Sequence, residues 1–270
     1  MPESFFMNSD ALENSFLPRL LPYREEQHRY LAECIRPLQN KRSGTNLLIM
    51  GGVGIGKTAC VRFILRKLME ETENVMPIYI NCWKKDTTPK IVYEIAKQIG
   101  MSSAEKITSD QLFDRVILRL NRYDGVTFAF DEIDRVNDYD FLYRILEDIQ
   151  NKTIFLVTNV SDWIAKIDRR LMSRLTLDRI EFKPYSYEET RGILHERENY
   201  AFVPNSFDYD AFENIIKKTF HERDIRVGLF LLKTAGDIAE RRGADKIEIT
   251  DVERALEKLK DFDKEIGNFI

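Results

Sequence analysis

GGVGIGKT, residues 51–58, follows the apolar run NLLIM at 46–50 and leads into a stretch of helical periodicity that starts at Lys57. Strand, glycine-rich turn and helix in that order are the setting in which GxxxxGK[ST] cradles phosphates. The glycines let the backbone curl so that its N–H groups point inward, and the helix start adds its positive dipole end. The nucleotide-binding set is Gly51, Gly52, Val53, Gly54, Ile55, Gly56, Lys57, Thr58 and Ala59. Lys57 is expected to reach the β- and γ-phosphates, and Thr58 to ligate Mg²⁺.

A second stretch, VTFAFDEID at 126–134, is an apolar strand that ends in two carboxylates. Carboxylates at the end of a buried strand are costly unless a cation or a reaction requires them. Asp131 is expected to hold the Mg²⁺ shell, directly or through water, and Glu132 to polarise an attacking water as general base. A small-molecule kinase needs no hydrolytic base there. The guanine-reading NKxD motif is also missing, because Asn151-Lys152 runs on into Thr153 and Ile154. ATP hydrolysis is the favoured chemistry. Asn159 closes the strand TIFLVT and can orient the water or touch the γ-phosphate, or simply form a turn. Arg169, Arg170 and Arg174 lie on a short helix in DRRLMSRL, with Arg170 and Arg174 on one face. They suit either a charge-stabilising role across an interface or a solvated basic patch. Arg226 opens a later helix, where it could report on phosphates or pair with Asp224.

Around these motifs the pattern alternates. Helical signals at 57–70, 89–99, 109–123 and 138–149 separate strand-like runs at 46–50, 77–82, 126–130, 153–158 and 178–182, and a further helix covers 23–38. Apolar strands alternating with helices predict a five-stranded parallel α/β sheet covered on both faces. After Pro184 the strand signals vanish. Ser186-x-x-Glu189 and Thr250-x-x-Glu253 read as capping boxes, helical periodicity covers 208–219 and 224–242, and Gly243 ends the latter. The expected organisation is a flexible tail at 1–15, an ATPase core at 16–183, a three- or four-helix lid at 184–262 and a tail at 263–270, with nucleotide at the junction of core and lid.

Composition narrows the classes further. With 270 residues, 43% hydrophobic and 32% charged, the chain can bury a core and keep a soluble surface. No signal peptide or membrane-spanning run is evident, so a soluble cytoplasmic protein is expected, nucleoid-associated if archaeal and nuclear if eukaryotic. Cys34, Cys60 and Cys82 have no pairing pattern, and His28, His195 and His221 lack metal-ligand spacing. The net charge of −4 does not announce nucleic-acid binding, so any DNA contact must be local or supplied by another segment.

The order of motifs (GGVGIGKT, DEID, a strand-end Asn, an arginine pair, a helical lid) resembles the AAA+ superfamily. Within it, LPYREEQHRYL, INCWKKDTTPKIVYEIAKQIG, DEIDRVNDYDFLYRIL, FKPYSYEE and RDIRVGLFLLKTAGDIAE resemble the archaeal and eukaryotic replication initiators of the Orc/Cdc type. The resemblance implies that Asn159 is sensor 1, Arg226 is sensor 2 in a D-x-R motif, and Arg170 or Arg174 is an arginine finger acting on a neighbouring subunit. Tyr23, Arg24, Pro184 and Tyr185 would border the adenine. Trp83, Lys84 and Lys85 correspond to an insertion that touches DNA in relatives. The family normally continues into a winged-helix domain that grips duplex DNA, whereas this sequence ends at Ile270, after the lid. The lid motif usually has Gly where Arg223 stands, and the P-loop departs at Gly52, Val53 and Ile55. The implied function is a slow ATP-hydrolysing switch in replication initiation, partnered by ATP, duplex DNA and other AAA+ subunits. The rivals are a signalling ATPase, or a clamp-loader- or chaperone-like subunit, without direct DNA binding.

Overall fold

The computed structural model describes residues 4–101 and 107–267, with side chains described through 260 except at 161 and 166. It divides into two compact units: residues 24–52 with 56–182, and residues 1–23, 53–55 and 183–270.

The first unit holds one parallel sheet of β1 (Leu47–Gly51), β2 (Val75–Asn81), β3 (Gly125–Asp131), β4 (Lys152–Thr158) and β5 (Asp178–Phe182), in the order β2-β3-β4-β1-β5. All seven residues of β3 are buried, as a central strand covered on both faces requires. The outer strand β5 is mostly exposed along Asp178–Glu181, and its charges protect the sheet edge. The expected strands match within two residues. On one face Ile78, Ile80, Phe128, Phe130 and Leu156 pack with α3 (Thr88–Gln98), α4 (Ser109–Leu120), α5 (Asp140–Asp148) and α6 (Arg169–Leu175) through Ile91, Ile95, Phe113, Phe141 and Leu171. The alternate residues of the strands point the other way. There α2 (Lys57–Glu71) packs against β1, β2 and β3, and α1 (Glu25–Ile35) packs on α2. The helix expected at 23–38 tightens into a 3-10 turn at Arg36–Asn40, because Pro37 cannot donate to the helical ladder. Burial pushes the thiols of Cys34 and Cys60 up to about 11 and 12, so both are small apolar core groups.

The second unit is built from α7 (Tyr187–Ala201), α8 (Tyr209–Glu222), α9 (Ile225–Arg241) and α10 (Ile249–Gly267). Ser186 and Glu189 form the expected reciprocal capping box. Gly243, at φ +69°, ends α9 in a Schellman motif: its N–H donates to Glu240 and that of Ala244 to Ala239. The expected Thr250–Glu253 box does not form. The helix already begins at Ile249, and the buried Asp251 carboxylate accepts the Glu248 N–H while pairing with Arg242.

The N-terminal segment departs most from expectation. Residues 4–16 pack into this helical unit instead of forming a loose tail. Phe5 is 4% exposed, its N–H donates to Glu240 at 2.7 Å, and its carbonyl accepts from Val203 at 2.9 Å. The Phe6 ring sits 4.7 Å from that of Phe202, over Gly236, where a Cβ would come 2.6 Å from Phe6. Buried Arg197 donates to the Ala11 carbonyl at 3.0 Å and lies over the Phe16 ring. The polar composition of 1–15 hid three apolar anchors, Phe5, Ala11 and Leu12, that fill the helical core. At the other end α10 continues helical through Gly267, past the expected lid boundary at 262. Among the described residues no helix is long and apolar enough to cross a membrane.

Candidate functional site

The turn after β1 takes backbone angles that favour glycine: φ is +145° at Gly51, +69° at Gly54 and +90° at Gly56. Gly56 caps α2 in the left-handed region, which sets Lys57 and Thr58 on the first turn of a helix whose N–H groups face the loop. Lys57 is only 6% exposed. Its ammonium donates to the Gly51 carbonyl at 2.8 Å, to the Gly52 carbonyl, and to Asn159 Oδ1 at 2.6 Å. A buried ammonium held by weak neutral acceptors at the mouth of a glycine turn fits phosphate oxygens, which are stronger partners for the same three hydrogens. Around Gly52, a Cβ would meet nothing within 4 Å, so the loop wall is open at that point.

Parallel pairing sets the second half of the site. β3 lies beside β4 with Asp131 opposite Val157, so Asp131 and Asn159 emerge from the same end of the sheet. Asp131 is 3% exposed. Its Oδ2 accepts from the Thr58 hydroxyl and from the Tyr79 hydroxyl, each at 2.7 Å, and its Oδ1 accepts the Glu132 N–H at 3.1 Å. Hydroxyl and carboxylate oxygens set this close are the hard donors that Mg²⁺ takes with phosphate. Glu132 adopts φ +57°, a left-handed conformation rare for a side chain of its kind and typical of functional turns. Two residues further along the turn, Asp134 accepts from the Thr158 hydroxyl at 2.7 Å, tying the turn after β3 to the end of β4.

Arg24 is buried, with its guanidinium 5.3 Å over the Phe182 ring, in the same unit as the phosphate loop. Tyr23, at φ +64°, and the buried Tyr185 belong to the helical unit, where the Tyr23 hydroxyl lies against Gly192. On α6, Arg174 is ion-paired with Glu147 at the surface, and the exposed Arg170 has its N–H capped by Asp168. In the helical unit, Asp224 caps α9 and grips the Arg226 guanidinium with both oxygens. Residues 53–55 group with this unit: Ile225 N–H donates to the Gly54 carbonyl at 3.2 Å, and a Cβ on Gly54 would fall 1.8 Å from Asp224 Oδ1. Trp83 is 62% exposed with the Arg135 guanidinium 4.1 Å over its ring, and Lys85 is paired with Glu94.

Tyr79 carries no motif that marks it in the sequence. In PIYINC it reads as one more strand residue, and only the register of β2 on β3, with Tyr79 opposite Ala129, carries its hydroxyl to Asp131. The hold of Asp134 on Thr158 is equally silent in the sequence, because it depends on the pairing of β3 with β4.

Sheet order, phosphate loop and strand-end carboxylates together define a P-loop ATPase of the AAA+ class. The AAA domain family profile matches residues 40–159, and that of the Cdc6 AAA+ ATPase-type lid domain matches residues 191–257. The chain is 29% identical over 283 residues to an ORC1-type DNA replication protein of Methanocorpusculum labreanum, covering 96% of this chain and 67% of the relative. It is 30% identical to ORC1-type DNA replication protein 1 of Sulfolobus acidocaldarius, covering 94% and 67% respectively. The Aeropyrum pernix ORC1 protein, solved in complex with DNA, superposes with a TM-score of 0.84 at 29% identity over 94% of this chain and 70% of that one. Pyrobaculum aerophilum Cdc6p shares the fold, with a TM-score of 0.82 at 18% identity over 94% and 72%. The chain belongs to the ORC1-type family of DNA replication proteins. It spans about two thirds of the length of the curated relatives it matches.

Proposed function

We propose that this chain binds ATP with Mg²⁺ and hydrolyses it slowly, as a switch in the initiation of DNA replication. One observation carries this reading: Lys57 and Thr58 of the phosphate loop are hydrogen-bonded to Asn159 and Asp131 at the ends of β4 and β3. Residues 51–59 cradle the phosphates with backbone N–H groups, and Lys57 turns its donors from the loop carbonyls to the phosphate oxygens. Thr58 and Asp131 would hold Mg²⁺, which would neutralise charge on the phosphates. Glu132 accepts a proton from the attacking water. Asn159 and Arg226 register the γ-phosphate, while Tyr23, Arg24 and Tyr185 border the base.

Turnover is slow in the isolated chain because Arg170 or Arg174 acts on the site of a neighbouring AAA+ subunit. The surface position of both arginines supports this reading. Duplex DNA is the proposed partner, through local contacts or through a winged-helix domain of the kind the family carries. The solved ORC1–DNA complex supports it, as does the exposed Trp83 beside Lys84. The chain acts where chromosomal DNA is.

Two measurements test the reading. Glu132→Gln is expected to keep nucleotide binding and lose hydrolysis, and hydrolysis at the wild-type rate would remove Glu132 from the role of base. Retardation of duplex DNA should weaken steeply with added salt, as phosphate contacts do. A chain that leaves DNA unretarded at low salt would return the signalling and clamp-loader readings.

A further inference from the structure

Asp131 has an anchor that belongs neither to the phosphate loop nor to its own strand. Tyr79 sits on β2, the neighbour of β3, two residues before the strand ends at Asn81. Its hydroxyl donates to Asp131 Oδ2 at 2.7 Å, the same oxygen that takes the Thr58 hydroxyl at 2.7 Å. The phenol supplies an O–H donor and Asp131, as a carboxylate, can only accept, so the direction of the bond is fixed. The Arg62 guanidinium lies 5.9 Å over the Tyr79 ring and holds it from the side of α2.

A carboxylate that accepts from three donors has little freedom to turn. Glu132 N–H takes Oδ1, and Thr58 alone would leave Oδ2 tethered to the group that Mg²⁺ also engages. Tyr79 supplies the tether that does not depend on the metal or the nucleotide.

We propose that Tyr79 is a positioning residue for magnesium: it holds Asp131 in the rotamer that receives the Mg²⁺ shell, so that affinity for nucleotide rises when the metal is present. This rests on the assignment of Thr58 and Asp131 as the Mg²⁺ residues. A merely structural tyrosine would affect nucleotide binding equally with and without metal.

The test uses a fluorescent ADP analogue titrated into the full chain, in Mg²⁺ and in EDTA, for wild type, Tyr79→Phe and Asp131→Asn. Wild type should bind more tightly in Mg²⁺. Tyr79→Phe should bind as wild type does in EDTA and give up most of the Mg²⁺ gain, about tenfold, the worth of one hydrogen bond to a charged acceptor. Adding Tyr79→Phe to Asp131→Asn should change the Mg²⁺ gain little further. An unchanged gain in Tyr79→Phe overturns the proposal and leaves the Mg²⁺ assignment standing. Equal losses in Mg²⁺ and EDTA also overturn it, giving Tyr79 a structural role. A wild type indifferent to Mg²⁺ overturns both the assignment and the proposal.

Discussion

The end of the β-sheet and the helical unit solve different problems with the same kinds of residue. At the sheet end, five polar side chains from three strands and one helix, namely Lys57, Thr58, Tyr79, Asp131 and Asn159, are joined by hydrogen bonds. In the helical unit, buried polar groups are scattered and each closes a local account: Arg197 secures the N-terminal segment, and Asp251 secures the start of α10. Rigid neighbouring strands can aim several side chains at one point, whereas packed helices are held by apolar surface and need polar groups only where backbone is left over. The two regions should therefore respond differently to substitution, one in activity and the other in stability.

The sharpest way to break that contrast is Lys57→Ala, expected to abolish nucleotide binding by titration while leaving the melting temperature of the free chain close to wild type. A large loss of stability would show that the site residues also hold the fold. Glu132→Gln comes next, with hydrolysis down at least about a hundredfold, the usual contribution of a general base, and binding intact. In the helical unit, Phe5→Ala should cost about 3 kcal/mol in denaturant unfolding, as truncating a buried aromatic does, with little change in affinity for nucleotide. Near wild-type stability would mean the N-terminal segment is not part of the helical core.

Asp251→Asn should cost about 2 kcal/mol near neutral pH, since it weakens a buried charge-assisted pair. Burial alone would raise the Asp251 carboxyl, but Arg242 and the Glu248 N–H outweigh it and hold it below the usual carboxylate value. A depressed folded-state value means that the stabilisation is complete above the unfolded value, about 3.9, and drains away as pH falls through the folded one. The gap between wild type and Asp251→Asn should thus narrow in acid. A gap independent of pH would show that packing, not charge, is at stake. The smallest effect belongs to Arg174→Ala, whose ion pair with Glu147 is exposed. Unfolding should shift by no more than about 0.5 kcal/mol, and only hydrolysis stimulated by a second subunit should fall.

Much of this was legible in the residue order. Strand and helix periods place all five strands within two residues, because a covered parallel sheet writes itself as apolar runs. Gly51 to Thr58 and the Asp131–Glu132 pair are contiguous, so the phosphate loop and the strand-end acids could be read without any contact. Two readings failed where a local pattern competed with a distant partner. Thr250 and Glu253 have the spacing of a cap, yet Asp251 wins the role because Arg242 waits for it nine residues upstream. The polar run at 1–15 looks unstructured until Phe5 and Leu12 find the core of α7 and α9.

The sequence alone determined that this is a phosphate-loop ATPase with a parallel sheet and a helical lid, because the residues that decide those points are neighbours along the chain. Only the tertiary structure decided that Asn159 lies on Lys57 and that Tyr79 lies on Asp131, 102 and 52 positions apart. Strand order and register set those meetings. Both depend on how the whole sheet pairs, which no short stretch of residues carries.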